Sequence, residues 1–262
     1  MPADRPRLTL ADLPAELHER LGPLRLAGHP EQGATSDTVL LDGPGGRLVL
    51  KRARAPRFDS WLRREARVLA ALAGSGLPVP RVLALVDRPG EAWLAMSFLP
   101  GLTAAEALER EGDTRRRESL LREFGRALAL VHAAPVPAGL DDRGDDWIAG
   151  TLDQCALILR EHETDGGSPA LLERLRATRP APVPPCLMHG DFTLDNTLLD
   201  GGRLSGIIDW AGGMRGDPRY DLTLATRDLA GRAGLAAFLE GYGRGGVSPV
   251  ERDFFEGIYD FY

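Results

Sequence analysis

The chain changes its hydrophobic period near its middle. Residues 38–42 (TVLLD) and 47–51 (RLVLK) are short apolar runs around a GPGG turn at 43–46, the pattern of two strands joined by a glycine-rich hairpin connection. A basic, proline-containing connection follows, and in 60–73 (SWLRREARVLAALA) Leu62, Ala66, Leu69 and Ala73 recur at helical spacing with Ser60 as the expected N-cap. Residues 81–87 (RVLALVD) and 92–98 (AWLAMSF) read as further strands around Arg88, Pro89 and Gly90. These strands and one helix make a small α+β unit ending near Pro100 and Gly101.

From Thr103 onward the period is helical. Thr103 and Glu106 form a capping-box pattern, and 115–132 places Leu120, Leu121, Phe124, Leu128 and Val131 on one face. A further amphipathic stretch covers 147–161, Ser168-Pro169 starts a helix over 170–177, and Ser248-Pro249 with Glu251 starts the last one. The exception is 186–209 (CLMHGDFTLDNTLLDGGRLSGIID), where apolar runs at 197–199 and 204–208 flank Asp200-Gly201-Gly202-Arg203 as a hairpin.

Composition narrows the class of protein. With 262 residues, 43% hydrophobic and 27% charged, the chain is an ordinary globular one of one or two domains. Its apolar stretches fall short of a membrane span and its N-terminus scatters charges where a signal peptide would be apolar, so a cytoplasmic protein is expected. Cys155 and Cys186 have neither CxxC nor Cys/His spacing and read as two buried thiols. A net charge of −6 disfavours a nucleic-acid binder and is compatible with a cationic ligand.

The basic residues carry more information when divided by type. Of 32, 31 are arginine, and Lys51 is the sole lysine. Drift toward arginine replaces lysines whose work a guanidinium can do, so the survivor marks a place where a compact ammonium on a thin stem is needed. Lys51 closes the second strand of the hairpin, and GATSD at 33–37 just before it is a loop of small and hydroxyl residues whose N–H groups could approach phosphate oxygens or make only a tight turn. Glu65 shares part of an apolar helix face, where a carboxylate either snorkels among Arg63, Arg64 and Arg67 or has a buried partner.

Polar chemistry gathers at the base of the second hairpin. Asp191 and Asn196 lie on the loop entering it and Asp209 where it leaves, so both ends present oxygen ligands at one place, with Asp195 a further carboxylate in the loop. Few protein oxygens, completed by water and substrate phosphates, is a magnesium arrangement.

HGDFTLDN at 189–196, IIDW at 207–210 and GDPRYDL at 216–222 together resemble the aminoglycoside phosphotransferase family of small-molecule kinases. LVLK at 48–51 looks like that family's nucleotide-binding lysine strand, with Glu65 where the lysine's ion-pair partner would be, so the resemblance spans nearly the whole chain. It implies an α+β, protein-kinase-like fold with a small β-rich lobe over 1–97 and a mainly helical lobe over 98–262. It implies Asp191 as catalytic base, Asn196 and Asp209 as Mg²⁺ ligands, Lys51 on the α- and β-phosphates of ATP or GTP, Ser36 covering them, and purine contacts from the main chain of Ser97 and Leu99. His189 would be structural, and Asp221 would hold the backbone of the catalytic loop.

For the acceptor, the resemblance points to the aminoglycoside 3'-kinases, whose cleft is lined by a short aromatic and acidic terminus similar to Ile258-Tyr259-Asp260-Phe261-Tyr262. Asp260, the terminal carboxylate of Tyr262, and Glu161 with Glu163 and Asp165 are the expected acceptor-site anions, although Ala230-Gly231-Arg232 stands where that subgroup often carries more acid. The implied activity is transfer of a γ-phosphoryl group to a hydroxyl of a small cationic molecule, with no nucleic-acid or membrane partner. Kinases of another metabolite or antibiotic (a macrolide, a peptide antibiotic, an amino alcohol) and a nucleotide-binding pseudokinase are the alternative readings.

Overall fold

The first third of the chain forms helix α1 (Ala15–Leu21) and strands β1 (Arg25–Gly28), β2 (Asp37–Gly43) and β3 (Gly46–Ala53), then α2 (Pro56–Ala71), β4 (Val82–Arg88) and β5 (Glu91–Ser97). The computed structural model describes residues 7–30, 35–53, 56–140, 143–144, 146–161, 164, 166–229 and 231–262. Gly33 and Ala34 of the expected phosphate-facing loop, Glu163, Asp165 and Ala230 lie outside the described residues.

The strands pair antiparallel in the order β1-β2-β3-β5-β4. Alternation along β3 decides what each side chain meets. Leu48 and Leu50 enter a core with Leu17, Val39, Leu41 and Trp93, while Val49 and Lys51 face the other way, into a cavity. Helix α2 lies against that second face, contributing Leu62, Ala66 and Leu69 to the main core. It begins at Pro56, so Ser60 lies inside its second turn and does not cap it. Proline's fixed φ suits the first helical turn and moves the start upstream of the serine.

The rest of the chain is β6 (Leu102–Thr103), α3 (Ala104–Arg110), α4 (Thr114–Ala133), α5 (Trp147–Glu161), α6 (Pro169–Ala177), β7 (Cys186–Met188), β8 (Thr197–Asp200), β9 (Arg203–Ile207), β10 (Met214–Gly216), α7 (Pro218–Arg227), α8 (Gly231–Tyr242) and α9 (Pro249–Tyr259). The Thr103/Glu106 and Ser248/Glu251 capping boxes both form. Strands β8 and β9 make the expected hairpin, turning on Gly201 and Gly202 at φ 56° and 78°, a pair of left-handed positions that glycine adopts without strain. Short strands β7 and β10 pair with each other, and β6 pairs with β8.

Two large cores hold this helical part, with a smaller cluster of Leu108, Leu121 and Ala237 beside them. Phe124, Leu128 and Val131 of α4 pack with Phe192, Ile207, Trp210 and Phe238, in a cluster that continues into α2 and β5. Trp147, Ile148, Leu152 and Cys155 of α5 pack with Phe254, Phe255, Ile258 and Phe261. Cys155 is buried and Cys186 half-buried, both free thiols. Among the described residues no helix is long and apolar enough to cross a membrane.

Candidate active site

A cavity of about 1430 Å³ runs from the end of β5 past Lys51 and the loop after β7 to the residues following α9. The sheet, α2, the β8–β9 hairpin and α9 each supply part of its wall.

Lys51 is the most constrained group in it. Its ammonium lies 2.8 and 3.0 Å from the two carboxylate oxygens of Glu65 on α2 and pairs with Asp209 as well. Glu65 is therefore the partnered carboxylate of the two readings open from sequence, with its side chain 4% exposed. Burial alone would discharge the lysine, but Asp209 and Glu65 outweigh it and hold its pKa above the ordinary lysine value.

Asp209 follows β9 with φ 63°, the one non-glycine residue in the left-handed region among those described. That conformation is costly for an L-residue and persists where its surroundings enforce it. Three hydrogen bonds do so. Trp210 Nε1 donates to Ile207 O (2.9 Å), His189 Nε2 to Ile208 O (2.8 Å), and the Ile208 N–H to Asn196 O (2.9 Å). The last tie joins the two ends of the hairpin, as expected from their spacing. Desolvation in the cleft works against the Asp209 charge, and the Lys51 ammonium more than offsets it, leaving the carboxyl below its ordinary range.

Asp191 stands across the cavity on the loop after β7. Asn196 Nδ2 donates to its carbonyl oxygen (2.8 Å) and its Oδ2 (3.0 Å), and its own N–H donates to His189 Nδ1 (3.2 Å). Burial pushes the Asp191 carboxyl above its ordinary value. Behind this loop, Asp221 on α7 is fully buried and accepts from the His189 N–H (2.7 Å) and the Gly190 N–H (2.8 Å), the backbone role expected of it. Gly190 has φ 82°, and a Cβ there would meet Gly212 Cα at 2.8 Å, so the loop path admits only glycine.

The donor set at the hairpin base fits magnesium. With Asn196 Nδ2 turned to Asp191, its Oδ1 and the Asp209 carboxylate are the oxygen donors there. Among the described residues no group of three or more His, Cys, Asp or Glu side chains could hold a metal unaided. Two oxygens suit an ion that keeps its waters and takes the rest of its shell from phosphates.

Ser36, Ser97 and Leu99 line the cavity, but the Ser97 N–H donates to Arg81 O (2.9 Å) and its hydroxyl accepts from the Arg81 N–H (2.9 Å). At the opposite end Tyr259, Asp260 and Tyr262 line the cavity, and Phe261 between them is buried at 1% exposure. Glu161, expected among the acceptor-site anions, is exposed at the end of α5 and is not part of the cavity wall. Helix α5 turns its buried face, with Trp147 and Thr151, toward the cavity, and Glu161 lies beyond the last turn of that face.

Three further residues, Arg143, His132 and Tyr242, carry little signal in the sequence. Arg143 donates to Thr151 Oγ1 (2.9 Å) and sets its guanidinium 5.7 Å from the centre of the Tyr262 ring. Nothing distinguishes it from the other arginines in the sequence. His132 meets Asp221 from behind and is itself bonded to the Tyr242 hydroxyl, with the place of His132 on the apolar face of α4 as the visible signal.

This geometry has relatives. The family model described as "Phosphotransferase enzyme family" matches residues 29–255. An aminoglycoside 3'-phosphotransferase of Streptomyces fradiae is 30% identical over 80% of this chain and 83% of its own length. A homoserine kinase of Pseudomonas aeruginosa is 33% identical over 81% of this chain and 67% of its own. The crystal structure of an aminoglycoside-3'-phosphotransferase of type VIII superposes with a TM-score of 0.75 at 30% identity, covering 92% of this chain and 93% of that one.

Proposed function

Because the chain belongs to the phosphotransferase enzyme family, we propose that it moves the γ-phosphoryl group of ATP or GTP to a hydroxyl of an aminoglycoside, with Asp191 as the base. The observation that carries this reading is one continuous cavity with Lys51 and Asp209 at one end, Asp260 and Tyr262 at the other, and Asp191 on its wall. A nucleotide entering beneath β3 brings its phosphates to Lys51. Because the Ser97 N–H is spent on Arg81, a purine edge is read by other main-chain groups at 97–99. Asn196 and Asp209 would hold magnesium, which when bound neutralises phosphate charge. We place the lobe boundary at 97/98, where β5 ends, and the enzyme in the cytoplasm, where nucleoside triphosphate is supplied.

Phosphoryl transfer passes through a loose transition state, so the protein contributes positioning and charge and little covalent chemistry. Lys51 supplies a fixed positive charge that needs no reorganisation as the phosphoryl group moves. Asp191 accepts a hydrogen bond from the acceptor hydroxyl and takes its proton as the new O–P bond forms and the bond from the γ-phosphorus to the bridging β-phosphate oxygen breaks, the nucleoside diphosphate leaving with that electron pair. Burial raises its pKa above the ordinary aspartate value, which strengthens it as a general base. Asn196 holds the carboxylate in that direction. Asp260 offers an anion to an ammonium group of the acceptor, beside the aromatic faces of Tyr259 and Tyr262.

The homoserine kinase relative supports a second reading, a kinase of a small amino alcohol. Nucleotide consumption measured against kanamycin, homoserine, a macrolide and a peptide antibiotic separates the two. Turnover with kanamycin at kcat/KM far above the others is expected. Turnover with homoserine alone replaces the acceptor assignment and keeps the mechanism, and consumption with none of them leaves the pseudokinase reading.

A further inference from the structure

The carboxylates along the cavity are nearly all engaged. Glu65 and Asp209 hold Lys51, Asn196 holds Asp191, and Glu106 accepts from the Thr103 N–H at the start of α3 (2.8 Å). Among the described side chains that leaves Asp260 as the anion open to an acceptor. The cations are more numerous. Besides Lys51, Arg64 and Arg67 of α2 and Arg143 before α5 line the same cavity. A wall built only to collect a polycation would carry the opposite balance.

Arg143 is fixed on three sides. Gly150 lets its backbone close on α5, since a Cβ there would lie 2.5 Å from Arg143 O. Thr151 is fully buried; its hydroxyl donates to Trp147 O (2.7 Å) and accepts from Arg143 Nη1 (2.9 Å). The guanidinium carbon then stands 5.9 Å from the centre of the Trp147 ring and 5.7 Å from that of Tyr262, within reach of both π-faces. These partners are all neutral. Among the described residues no carboxylate pairs with Arg143, and a guanidinium has five N–H donors, more than Thr151 can use. The rest of a planar, permanently charged fork is left to the cavity.

We propose that the end of the cavity assigned to the acceptor is a two-sign site, in which Asp260 takes an ammonium group and Arg143 takes an acceptor oxygen, and that Arg143 thereby selects against acceptors rich in ammonium groups. The proposal rests on the acceptor occupying that end. An arginine that merely ties Tyr262 to α5 would need its fork and its two rings, and losing it would weaken every acceptor. A charge-selecting arginine opposes a polycation, so losing it strengthens the binding of one. The two roles differ in sign.

Neomycin and paromomycin supply the probe, because they differ in one group, an ammonium in the first and a hydroxyl in the second. Each is titrated calorimetrically into the unmodified enzyme, Arg143→Met and Arg143→Glu with Mg·ADP present, at about 10 mM ionic strength, where charges interact over about 30 Å. The Kd of neomycin falls about three- to tenfold in Arg143→Met and further in Arg143→Glu, and that of paromomycin falls less. At about 1 M salt, where the screening length is about 3 Å, the three proteins converge.

A Kd that rises in both variants makes Arg143 a tie for the tail and overturns the proposal, as does one that stays level. If neither variant folds, the unmodified enzyme decides. Paromomycin should bind it at least as tightly as neomycin, and neomycin binding more than about threefold tighter overturns the proposal. Tighter neomycin binding in the variants, without phosphoryl transfer to either compound, upholds the two-sign site and defeats the transferase reading instead. An enzyme that binds neither compound defeats both.

Discussion

The two ends of the cavity are fixed by different forces. At the phosphate end, Lys51, Glu65 and Asp209 hold one another through ion pairs, and Asp191 is set by hydrogen bonds from Asn196 and through His189. At the end proposed for the acceptor, Asp260 and Tyr262 stay in place because Phe261 between them, and Ile258 before them, are sunk in a core with Trp147 and Phe255. In the first region each functional group is also another group's partner, so none can be changed alone. In the second the apolar pegs do the holding, and the polar groups are free to vary. Substitutions at the first end should therefore appear in kcat, and those at the second in the acceptor KM.

The largest break in that pattern comes from Asp191→Asn. Removing the base should lower kcat by about 10²- to 10⁴-fold, with nucleotide affinity nearly unchanged. The same change should raise the melting temperature at neutral pH, because it removes a carboxylate that burial disfavours. The sign follows from linkage. With its folded pKa above the unfolded value, Asp191 binds more protons in the folded protein between the two, so stability falls as pH rises through that window and levels off above it. Activity has the opposite slope, since the base must be ionised, and its acid limb should lie above the ordinary aspartate range and vanish in the variant. A variant both active and less stable would place Asp191 outside the chemistry.

Lys51→Arg comes next. Arginine occupies 31 of the 32 basic positions in this chain, yet the stem at 51 leads between two carboxylates with its side chain 13% exposed. A planar fork does not fit where a point charge meets both. Loss of about 10²- to 10³-fold in kcat is expected, the scale for removing one preorganised charge contact. An arginine enzyme of full activity would leave the solitary lysine without a physical reason.

This contrast also separates the features that are legible in the sequence from those that are not. Strand alternation around Lys51 and the apolar runs around Gly201-Gly202 are local, and both hairpins form as the pattern implies. The Lys51–Glu65 contact spans fourteen residues and the Lys51–Asp209 contact 158, so spacing alone left Glu65 open and the family resemblance had to join it to the lysine. Ser60 misled because N-capping competes with proline's preference for the first turn, and the helix starts at Pro56. Glu161 misled because acidity is visible in a sequence, whereas the turn of α5 that faces the cavity is set by Trp147 and Cys155 packing on α9. Arg143 gave no signal among so many arginines. His132 gave one, a lone imidazole on an apolar stripe, whose meaning depends on Asp221, 89 residues away.

Phe261→Ala tests whether burial holds the acceptor end. Emptying this fully packed position should cost about 3–5 kcal/mol of stability and raise the acceptor KM, while the nucleotide KM stays level. An acceptor KM that does not move, in a folded variant, would mean that 260–262 keep their place without the peg, or have no part in the site.

The smallest effect expected is from Asp260→Asn, and it is the one that reads acceptor charge directly. Asp260 is exposed, its N–H bonded to Glu256 O at 3.2 Å, so its backbone is held by the end of α9 while its side chain lies at the surface beside Gly166. An ion pair formed there with a substrate ammonium is screened, and exposed pairs are worth about 0.2–1 kcal/mol. The acceptor KM should therefore rise only about 1.4- to fivefold, with kcat unchanged. The informative quantity is the salt dependence. With a Debye length of about 10 Å at 0.1 M ionic strength, added salt should raise the KM of the unmodified enzyme for kanamycin more steeply than that of Asp260→Asn, and the two should converge near 1 M, where the length is about 3 Å. An uncharged acceptor should show neither the increase nor the salt dependence. Parallel salt curves for the two enzymes would take Asp260 out of substrate recognition and leave the aromatic faces of Tyr259 and Tyr262 to define that end of the cavity.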